Sequence, residues 1–254
     1  MRLLLYNIRY GAGIGRKIHF PLPYIGYLKK TNGNFKRISD FIKTVKPDIT
    51  ALIEVDSGSF RTEKNNQAKV IAGEMHQRHI CKSKYSNSSI VRKFPVLNKQ
   101  CNALLTNQKI ISKKFHYLNN GVKRLVIELE LDEVTIFLVH LSLKFRHRQS
   151  QLKDLYTIVD HVKKPVIVAG DFNVFHGDGE LQLFLAATGL RSANCEGMPS
   201  HPSRFPKRQL DFILHSAEIR PTDFQIPQVK FSDHVPLVYD FEIRPHKIKQ
   251  SMAA

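Results

Sequence analysis

Tryptophan is absent from this 254-residue sequence, and cysteine is scarce, with only Cys81, Cys101 and Cys195 present. These thiols lack CxxC spacing and are odd in number, so the sequence predicts neither a zinc knuckle nor a complete disulfide framework. No stretch reaches the roughly twenty apolar residues that a transmembrane helix requires. Because a reducing compartment is the simplest environment for free thiols, we expect a cytoplasmic protein without a transmembrane segment, and a monomer.

Acidic residues are also scarce. The chain has 22 Asp and Glu residues against 39 Lys and Arg residues, which leaves a formal net charge of +17 at pH 7. An excess of this size attracts polyanions over long distances, so nucleic acid and anionic phospholipid are the expected partners. Net charge bears on association and solubility rather than on fold, and a merely basic protein is the alternative.

Short apolar runs alternate with amphipathic helical patterns along the chain. Phe35, Ile38, Ile42 and Val45 recur at helical spacing before a proline, and a second helix is predicted over Asn65–His79. Strands are predicted at residues 3–8, 49–55, 103–106, 124–131, 134–141, 166–169, 210–214 and 235–241. The first of these runs is apolar but has no small-residue cleavage site after it, so it predicts a strand rather than a signal peptide.

The connections between these strands predict the fold class. Asp132 and Glu133 alone separate two strands, which requires an antiparallel pair, whereas the helices elsewhere permit parallel crossovers. An α/β fold with two packed mixed β-sheets flanked by helices, a four-layered α/β sandwich, satisfies both kinds of connection. We expect one domain over residues 1–243 and a basic tail over residues 244–254.

Glycine and proline interrupt the segment between Gly11 and Lys30. No Gly-Lys-Thr helix start follows its glycines, so the segment does not have the pattern of a phosphate cradle in nucleotide-binding proteins. It directly follows the strand that carries Asn7, and it contains basic and aromatic side chains. We therefore expect it to cover a site at that strand end, with Tyr24 and Tyr27 as substrate-binding residues.

Six short motifs follow one another along the chain, each at the end of a predicted strand. They are Tyr6-Asn7-Ile8-Arg9, Leu52-Ile53-Glu54-Val55, Val139-His140-Leu141-Ser142, Gly170-Asp171-Phe172-Asn173, Leu210-Asp211-Phe212-Ile213 and Ser232-Asp233-His234. In this order they resemble the DNase I-like endonuclease/exonuclease/phosphatase superfamily, from the first strand to the last. The resemblance implies the same sandwich fold and a metal-assisted hydrolysis of phosphate esters by water.

The metal site predicted from these motifs centres on Glu54. A phosphate ester repels nucleophiles by its own charge, so the site needs a cation on the phosphoryl oxygens. Glu54 ends an apolar strand and is the predicted ligand of a hard cation, Mg²⁺ with Mn²⁺ as a substitute. The resemblance places Asn7 beside it, and Asp233 is expected to orient the metal shell or to bind a second cation. The alternative for Glu54 is a capping or turn carboxylate next to Asp56 and Ser57.

The remaining motifs supply the predicted catalytic residues. Asp171 is expected to orient and deprotonate the attacking water, with Asn173 donating a hydrogen bond to water or phosphate from the same extended segment; an Asx-type turn is the alternative. His234 is predicted to stabilise charge on the scissile phosphate, with Asp211 accepting from its other ring nitrogen. By the resemblance, His140 reaches the phosphate from the opposite side, although a lone histidine after an apolar strand is more often structural.

Three arginines are candidates for substrate-binding phosphate clamps, because a guanidinium group matches two phosphate oxygens. They are Arg61, Arg146 and Arg148. A solvated basic face explains them equally well, since surface charge runs are common.

The substrate follows less directly from the sequence. Because phosphate neutralisation dominates affinity for nucleic acid, the positive charge favours a Mg²⁺-dependent nuclease acting on DNA or RNA. The apolar tip at residues 20–28, flanked by lysines, favours the alternative of a phospholipid phosphodiesterase or phosphatase. A second alternative is a non-catalytic nucleic-acid-binding module, but the complete set of catalytic residues argues against it. The absence of tryptophan argues against a dedicated abasic-site enzyme.

Overall fold

The computed structural model describes residues 1–14, 30–85 and 96–244. Strands in these ranges form two six-stranded sheets. The first sheet contains β1 (Arg2–Asn7), β2 (Ile49–Asp56), β3 (Arg78–Ser83), β4 (Gln100–Thr106), β11 (Ile219–Gln225) and β12 (Leu237–Ile243). The second contains β5 (Ile110–Tyr117), β6 (Leu125–Leu131), β7 (Thr135–His140), β8 (Val166–Asp171), β9 (Arg191–Ser192) and β10 (Asp211–His215).

Each sheet combines antiparallel pairs with one parallel pair. The strand orders are β11-β12-β1-β2-β4-β3 and β5-β6-β7-β8-β10-β9, with β1 parallel to β2 and β7 parallel to β8. The helices are α1 (Asn32–Val45), α2 (Gln67–Glu74), α3 (Phe145–Asp160) and α4 (Gln182–Thr188). Because α1 and α3 are the crossovers of the two parallel pairs, the carboxyl ends of each pair lie at one edge of its sheet.

Apolar side chains from both sheets form the central core. Leu5 of β1 and Leu104 of β4 belong to the same buried cluster as Leu129 of β6 and Leu138 of β7. A second cluster joins the first sheet to α1 and α2, and a third joins the second sheet to α3 and α4. The predicted four-layered sandwich of two mixed sheets flanked by helices is therefore confirmed.

The short hairpin at Asp132 and Glu133 is also as predicted. The strands β6 and β7 pair antiparallel, and the backbone N–H of Leu131 donates to the Val134 carbonyl at 2.9 Å. The helix predicted over residues 65–79 is too long. Helix α2 ends at Glu74, His76 has a left-handed φ of 54°, and His79 already belongs to β3. Pairing of β3 with β4 prevails there over the helical pattern of the sequence.

The strands that the sequence pattern missed are the edge strands of the two sheets, β3, β5, β9 and β11. An edge strand has one neighbour only, and here most of its side chains are exposed or half-buried, so it has no apolar run that a pattern detects. Among the described residues, no helix is both long and apolar enough to cross a membrane. Apart from Arg244, the predicted tail lies outside the described residues.

Candidate active site

Residues from neighbouring strand ends form one polar row at the edge of the second sheet. In the sheet register, Asp171 of β8 is paired with His140 of β7 on one side and with Asp211 of β10 on the other. Asn7 reaches this row from the first sheet, and its Nδ2 donates to Asp171 Oδ2 at 3.2 Å. All four side chains are buried, so both sheets contribute to a single protected site.

Gly170 makes the close approach of β7 and β8 at this row sterically feasible. A Cβ atom at position 170 would lie 2.1 Å from the carbonyl oxygen of Val139. Only glycine avoids this clash, and the residue directly before Asp171 is therefore dictated by packing rather than by chemistry.

Asp171 occupies the centre of the site. Its Oδ1 accepts from the backbone N–H of Asn173 at 3.0 Å, and its Oδ2 lies 3.4 Å from Nε2 of His140. Burial, reinforced by the charge of Asp211, raises the pKa of Asp171 to about 6, although His234 acts in the opposite direction. A carboxylate with this pKa can accept a proton near neutral pH.

Asn173 lies in a turn rather than in an extended segment. It has a φ of 52°, a left-handed conformation that asparagine tolerates, and its Nδ2 donates to the Leu141 carbonyl at 2.8 Å. The prediction that Asp171 and Asn173 project from one extended face is therefore wrong. The Asx-type turn is present, and it brings both side chains into the site by folding the chain back instead.

His234 and Asp211 are in direct contact, in the pairing that the sequence suggested. Nδ1 of His234 lies 2.6 Å from Asp211 Oδ2, which also accepts from the hydroxyl of Ser200 at 2.6 Å. Burial disfavours the charged imidazole, but the charge and hydrogen bond of Asp211 outweigh it and raise the pKa of His234 to about 10. The result is an imidazolium whose Nε2 lies 3.9 Å from Oδ2 of Asp171.

Glu54 reaches the site because β2 bulges against β4. The register shifts by one residue between Leu52 and Val55, and Glu54 adopts a left-handed φ of 57° while its N–H donates to Asn102 Oδ1 at 3.3 Å. Such a conformation is unfavourable for glutamate, and bulges of this kind redirect side chains beside functional sites. Glu54 is thus a strand residue aimed by backbone geometry, not a capping carboxylate.

Two lysines surround this carboxylate. Lys123 was a candidate phosphate clamp in the sequence, with a solvated basic face as the alternative, whereas no sequence motif indicated Lys84. Nζ of Lys84 lies 3.2 Å from Oε1 of Glu54 and 2.6 Å from the hydroxyl of Tyr10, and Nζ of Lys123 lies 4.0 Å from the same Oε1. Burial raises the pKa of Glu54, but the two lysines outweigh it and hold that pKa at about 2. Lys84 follows the unpredicted strand β3, which explains why no motif pointed to it.

Lys123 also contacts His140, since its Nζ lies against Nε2 of the ring. Burial and the charge of Lys123 hold the pKa of His140 well below its ordinary value, so this imidazole is neutral. The two histidines of the site are therefore in different states, one neutral and one charged.

The donors present fit a hard divalent cation. Glu54 and Asn7 offer oxygen atoms, which Mg²⁺ prefers, although Lys84 already binds one carboxylate oxygen of Glu54. Apart from Glu54 and Asn7, two groups of His and Asp side chains in the described part of the chain are close enough to share an ion. One contains Asp171, Asp211 and His234, and the other contains His201, Asp233 and His234.

Two of the three predicted phosphate clamps are wrong. The side chain of Arg61 is completely buried and binds Asp56 Oδ2 at 2.6 Å, and that of Arg148 is buried against Glu180, also at 2.6 Å. A guanidinium group in such a pair cannot reach a substrate without breaking it. Arg146 is exposed in the first turn of α3 and stays a prediction.

Tyr24 and Tyr27 lie outside the described residues. Beside Glu54 the described part of the chain forms a cavity of about 390 Å³, with Lys84, Lys123, Tyr85 and Leu143 among its lining residues. A lysine-lined cavity next to the polar row has the charge and the position to hold a phosphorylated compound.

Comparisons with known proteins agree with this fold. A model of the Endonuclease/Exonuclease/phosphatase family matches residues 4–234. The uncharacterized protein YbhP of Escherichia coli (strain K12) is 32% identical over 123 residues, covering 45% of this chain and 48% of that protein. The chain thus spans about half the length of the curated relatives it matches.

Two solved structures have the same fold. An endonuclease/exonuclease/phosphatase from Beutenbergia cavernae has a TM-score of 0.72 and 16% identity, over 96% of this chain and 72% of that one. The human Nocturnin catalytic domain with bound sulfate anion has a TM-score of 0.69 and 23% identity, over 96% and 94% of the chains. The family match extends from β1 to the Asp233-His234 motif, and the chain belongs to the Endonuclease/Exonuclease/phosphatase family, whose enzymes are hydrolases of phosphoester bonds.

Proposed function

We propose that the protein is a Mg²⁺-dependent phosphodiesterase that hydrolyses nucleic acid with an activated water molecule. The observation that carries this proposal is the pair formed by Asp171 and His234. A buried carboxylate with a pKa of about 6 lies 3.9 Å from an imidazolium with a pKa of about 10. Between about pH 6 and 10 the first is a base and the second is a cation, which is the combination that attack on a phosphate ester needs.

Each side chain of the site has a role in this proposal. Asp171 takes the proton of the attacking water, and Asn173 helps to place that water. His234 donates from Nε2 to a phosphoryl oxygen, while Asp211 keeps its ring charged and oriented. Lys123, with the neutral ring of His140, supports negative charge from the other side.

Glu54 and Asn7 would hold Mg²⁺ in the proposed enzyme, with Mn²⁺ as a substitute. Its contribution when bound is Lewis-acid polarisation of a phosphoryl oxygen. Nucleic acid is the proposed substrate because of the net charge of +17 and the lysines beside the row. The free cysteine thiols are compatible with a cytoplasmic location, which we propose for this protein.

A mixed substrate panel tests this function. Purified protein is incubated with Mg²⁺ or Mn²⁺ and plasmid DNA, single-stranded DNA, RNA, phosphomonoesters or phospholipid vesicles. We expect metal-dependent cleavage of nucleic acid, lost in Asp171→Ala and His234→Ala and retained in the matched control Asp160→Ala, an exposed carboxylate at the end of α3. If only phospholipid is turned over, the protein is a phospholipid phosphodiesterase or phosphatase and not a nuclease. If no compound is turned over, the proposal that the protein is an enzyme is wrong, and a non-catalytic nucleic-acid-binding module is left.

The pH dependence of kcat/KM is expected to show a plateau between about pH 6 and pH 10. Below the plateau Asp171 is protonated and cannot accept a proton, so the rate falls roughly tenfold per pH unit; above it His234 loses its charge. In Asp211→Asn the upper limb should move to lower pH, because the main cause of the raised pKa of His234 is removed. An unchanged upper limb in that variant would contradict the role of the His234–Asp211 pair.

A further inference from the structure

His201, Asp233 and His234 each place one potential metal-ligand atom within 4.8 Å of the others. Of these three side chains, only His234 has a role in the proposed hydrolysis. Two backbone hydrogen bonds hold the chain segments that carry them: Ser203 N–H donates to the Asp233 carbonyl at 2.7 Å, and Val235 N–H donates to the Ser200 carbonyl at 2.9 Å. The three side chains therefore project from two segments that are fastened to each other.

The orientation of His234 is that of a metal-binding histidine. Its Nδ1 is engaged with Asp211 at 2.6 Å, which leaves Nε2 as the nitrogen for a ligand. Metal-ligating histidines commonly have such a carboxylate partner on the other ring nitrogen, because the partner fixes the ring orientation and increases the basicity of the ligand.

His201 provides an independent observation. Its Nδ1 is shielded from solvent and has no hydrogen-bond partner among the residues that the structure describes. A buried polar atom without a partner is unfavourable, and a ligand bound at this nitrogen would remove that cost. The rings of His201 and His234 lie with their centroids 4.7 Å apart, and a nitrogen of each ring lies within 4.8 Å of one on the other ring.

The donor set identifies the class of ion. Two imidazole nitrogens and one carboxylate oxygen suit Zn²⁺ and Co²⁺, whereas Mg²⁺ takes oxygen ligands and keeps several waters. Arg9 opposes binding, since its Nε lies 3.5 Å from Asp233 Oδ2, and Arg208 adds positive charge near His201. Asp211 and Asp171 compensate with negative charge close to His234.

We propose that His201, Asp233 and His234 form a site for a nitrogen-preferring divalent cation such as Zn²⁺ or Co²⁺, separate from the oxygen ligands Glu54 and Asn7. The ion takes the lone pair of His234 Nε2 and releases the proton of that nitrogen to solvent. Since the proposed hydrolysis needs this proton on the phosphate, occupancy inhibits it. That consequence rests on the proposed function, but the binding itself does not.

Cobalt absorption spectroscopy tests the site without any activity. Co²⁺ is titrated into the metal-free full-length protein, and the visible bands of tetrahedral Co²⁺ are followed and then bleached with Zn²⁺. His201→Phe keeps a ring against His234 but removes both nitrogens, and His161→Phe is the matched control at an exposed position. We expect Co²⁺ affinity to fall at least about tenfold in His201→Phe and to stay unchanged in His161→Phe.

Two outcomes overturn the proposal, with folding of each variant checked by circular dichroism. The first is the absence of visible bands in the wild-type protein. The second is equal Co²⁺ affinity of the wild type and His201→Phe. In a nuclease assay with Mg²⁺, the Zn²⁺ concentration that halves the activity of each protein should be at least about tenfold higher for His201→Phe than for the wild type. A wild type that binds Co²⁺ but cleaves nothing would refute the proposed function and leave this site standing.

Discussion

Replacing Asp171 with asparagine is expected to reduce kcat/KM by about 10²–10⁴ and, at the same time, to stabilise the fold at pH 8. The loss of activity follows from removal of the proposed base. The gain in stability follows from the pKa of Asp171, which burial raises from its ordinary value of 3.8 to about 6. Keeping this carboxylate ionised in the folded protein is unfavourable, by an amount on the order of 2–3 kcal/mol.

The sign of the stability effect depends on pH. A carboxyl group whose pKa is raised by folding contributes its full stability below pH 3.8, and that contribution is lost as the pH rises through about 6. Asp171→Asn should therefore melt a few degrees higher than the wild type at pH 8, with the advantage disappearing near pH 4. Thermal melts monitored by circular dichroism at both pH values, in the presence of a chelator, measure the difference.

Glu54→Gln is the matched control, because the pKa of Glu54 is lowered in the folded protein whereas that of Asp171 is raised. The two lysines overcome the effect of burial and hold the pKa of Glu54 at about 2, so its charge stabilises the fold above about pH 4.5, and this stability is lost as the pH falls through 2. Glu54→Gln should thus melt lower than the wild type at pH 8. If both variants shift the melting temperature in the same direction at pH 8, the electrostatic description of the site is wrong.

Replacing Arg148 with methionine is expected to lower the free energy of unfolding by about 3–5 kcal/mol. The guanidinium group donates to both carboxylate oxygens of Glu180 and also to the Leu143 carbonyl, and both charged side chains are buried. Without the arginine, Glu180 is left as an uncompensated buried charge. Urea unfolding followed by circular dichroism gives the change.

Arg146 is the matched control on the same helix. It is exposed, so Arg146→Met should change the free energy of unfolding by less than about 0.5 kcal/mol, while raising KM for a polyanionic substrate if it is a phosphate clamp. The double variant Arg148→Met/Glu180→Leu should recover much of the lost stability, because no charge is then left unpaired. If Arg146→Met and Arg148→Met have equal free energies of unfolding, the buried pair of Arg148 and Glu180 does not contribute to stability.

The fate of the three arginines illustrates what a sequence pattern misses. Arg61, Arg146 and Arg148 all have the side chain that binds phosphate, and the sequence offers no basis for separating them. The separation depends on partners elsewhere in the chain: Glu180 is brought against Arg148 by the packing of the segment after β8, and Asp56 meets Arg61 across a tight turn. Burial and pairing of a charge are properties of the tertiary structure.

The strands also differ in how well the sequence predicts them. Central strands have a neighbouring strand on both sides and are covered by helices, so their sequences are continuous apolar runs. The sequence pattern located these strands. The sequence pattern did not predict the edge strands β3, β5, β9 and β11, because their side chains are partly solvated. Lys84 was missed for this reason, since it follows β3 and becomes part of the site only through contact with Glu54.

The sequence by itself indicated Asn7, Asp171, Asp211 and His234 as one set of site residues, together with the mixed-sheet sandwich that carries them. The sequence also predicted that Asp211 would favour a charged His234, whereas only the tertiary structure decided the raised pKa of Asp171 and the neutral state of His140. The physical reason is that a pKa depends on burial and on charges through space, and the charges around these groups come from strands and loops far apart in the chain.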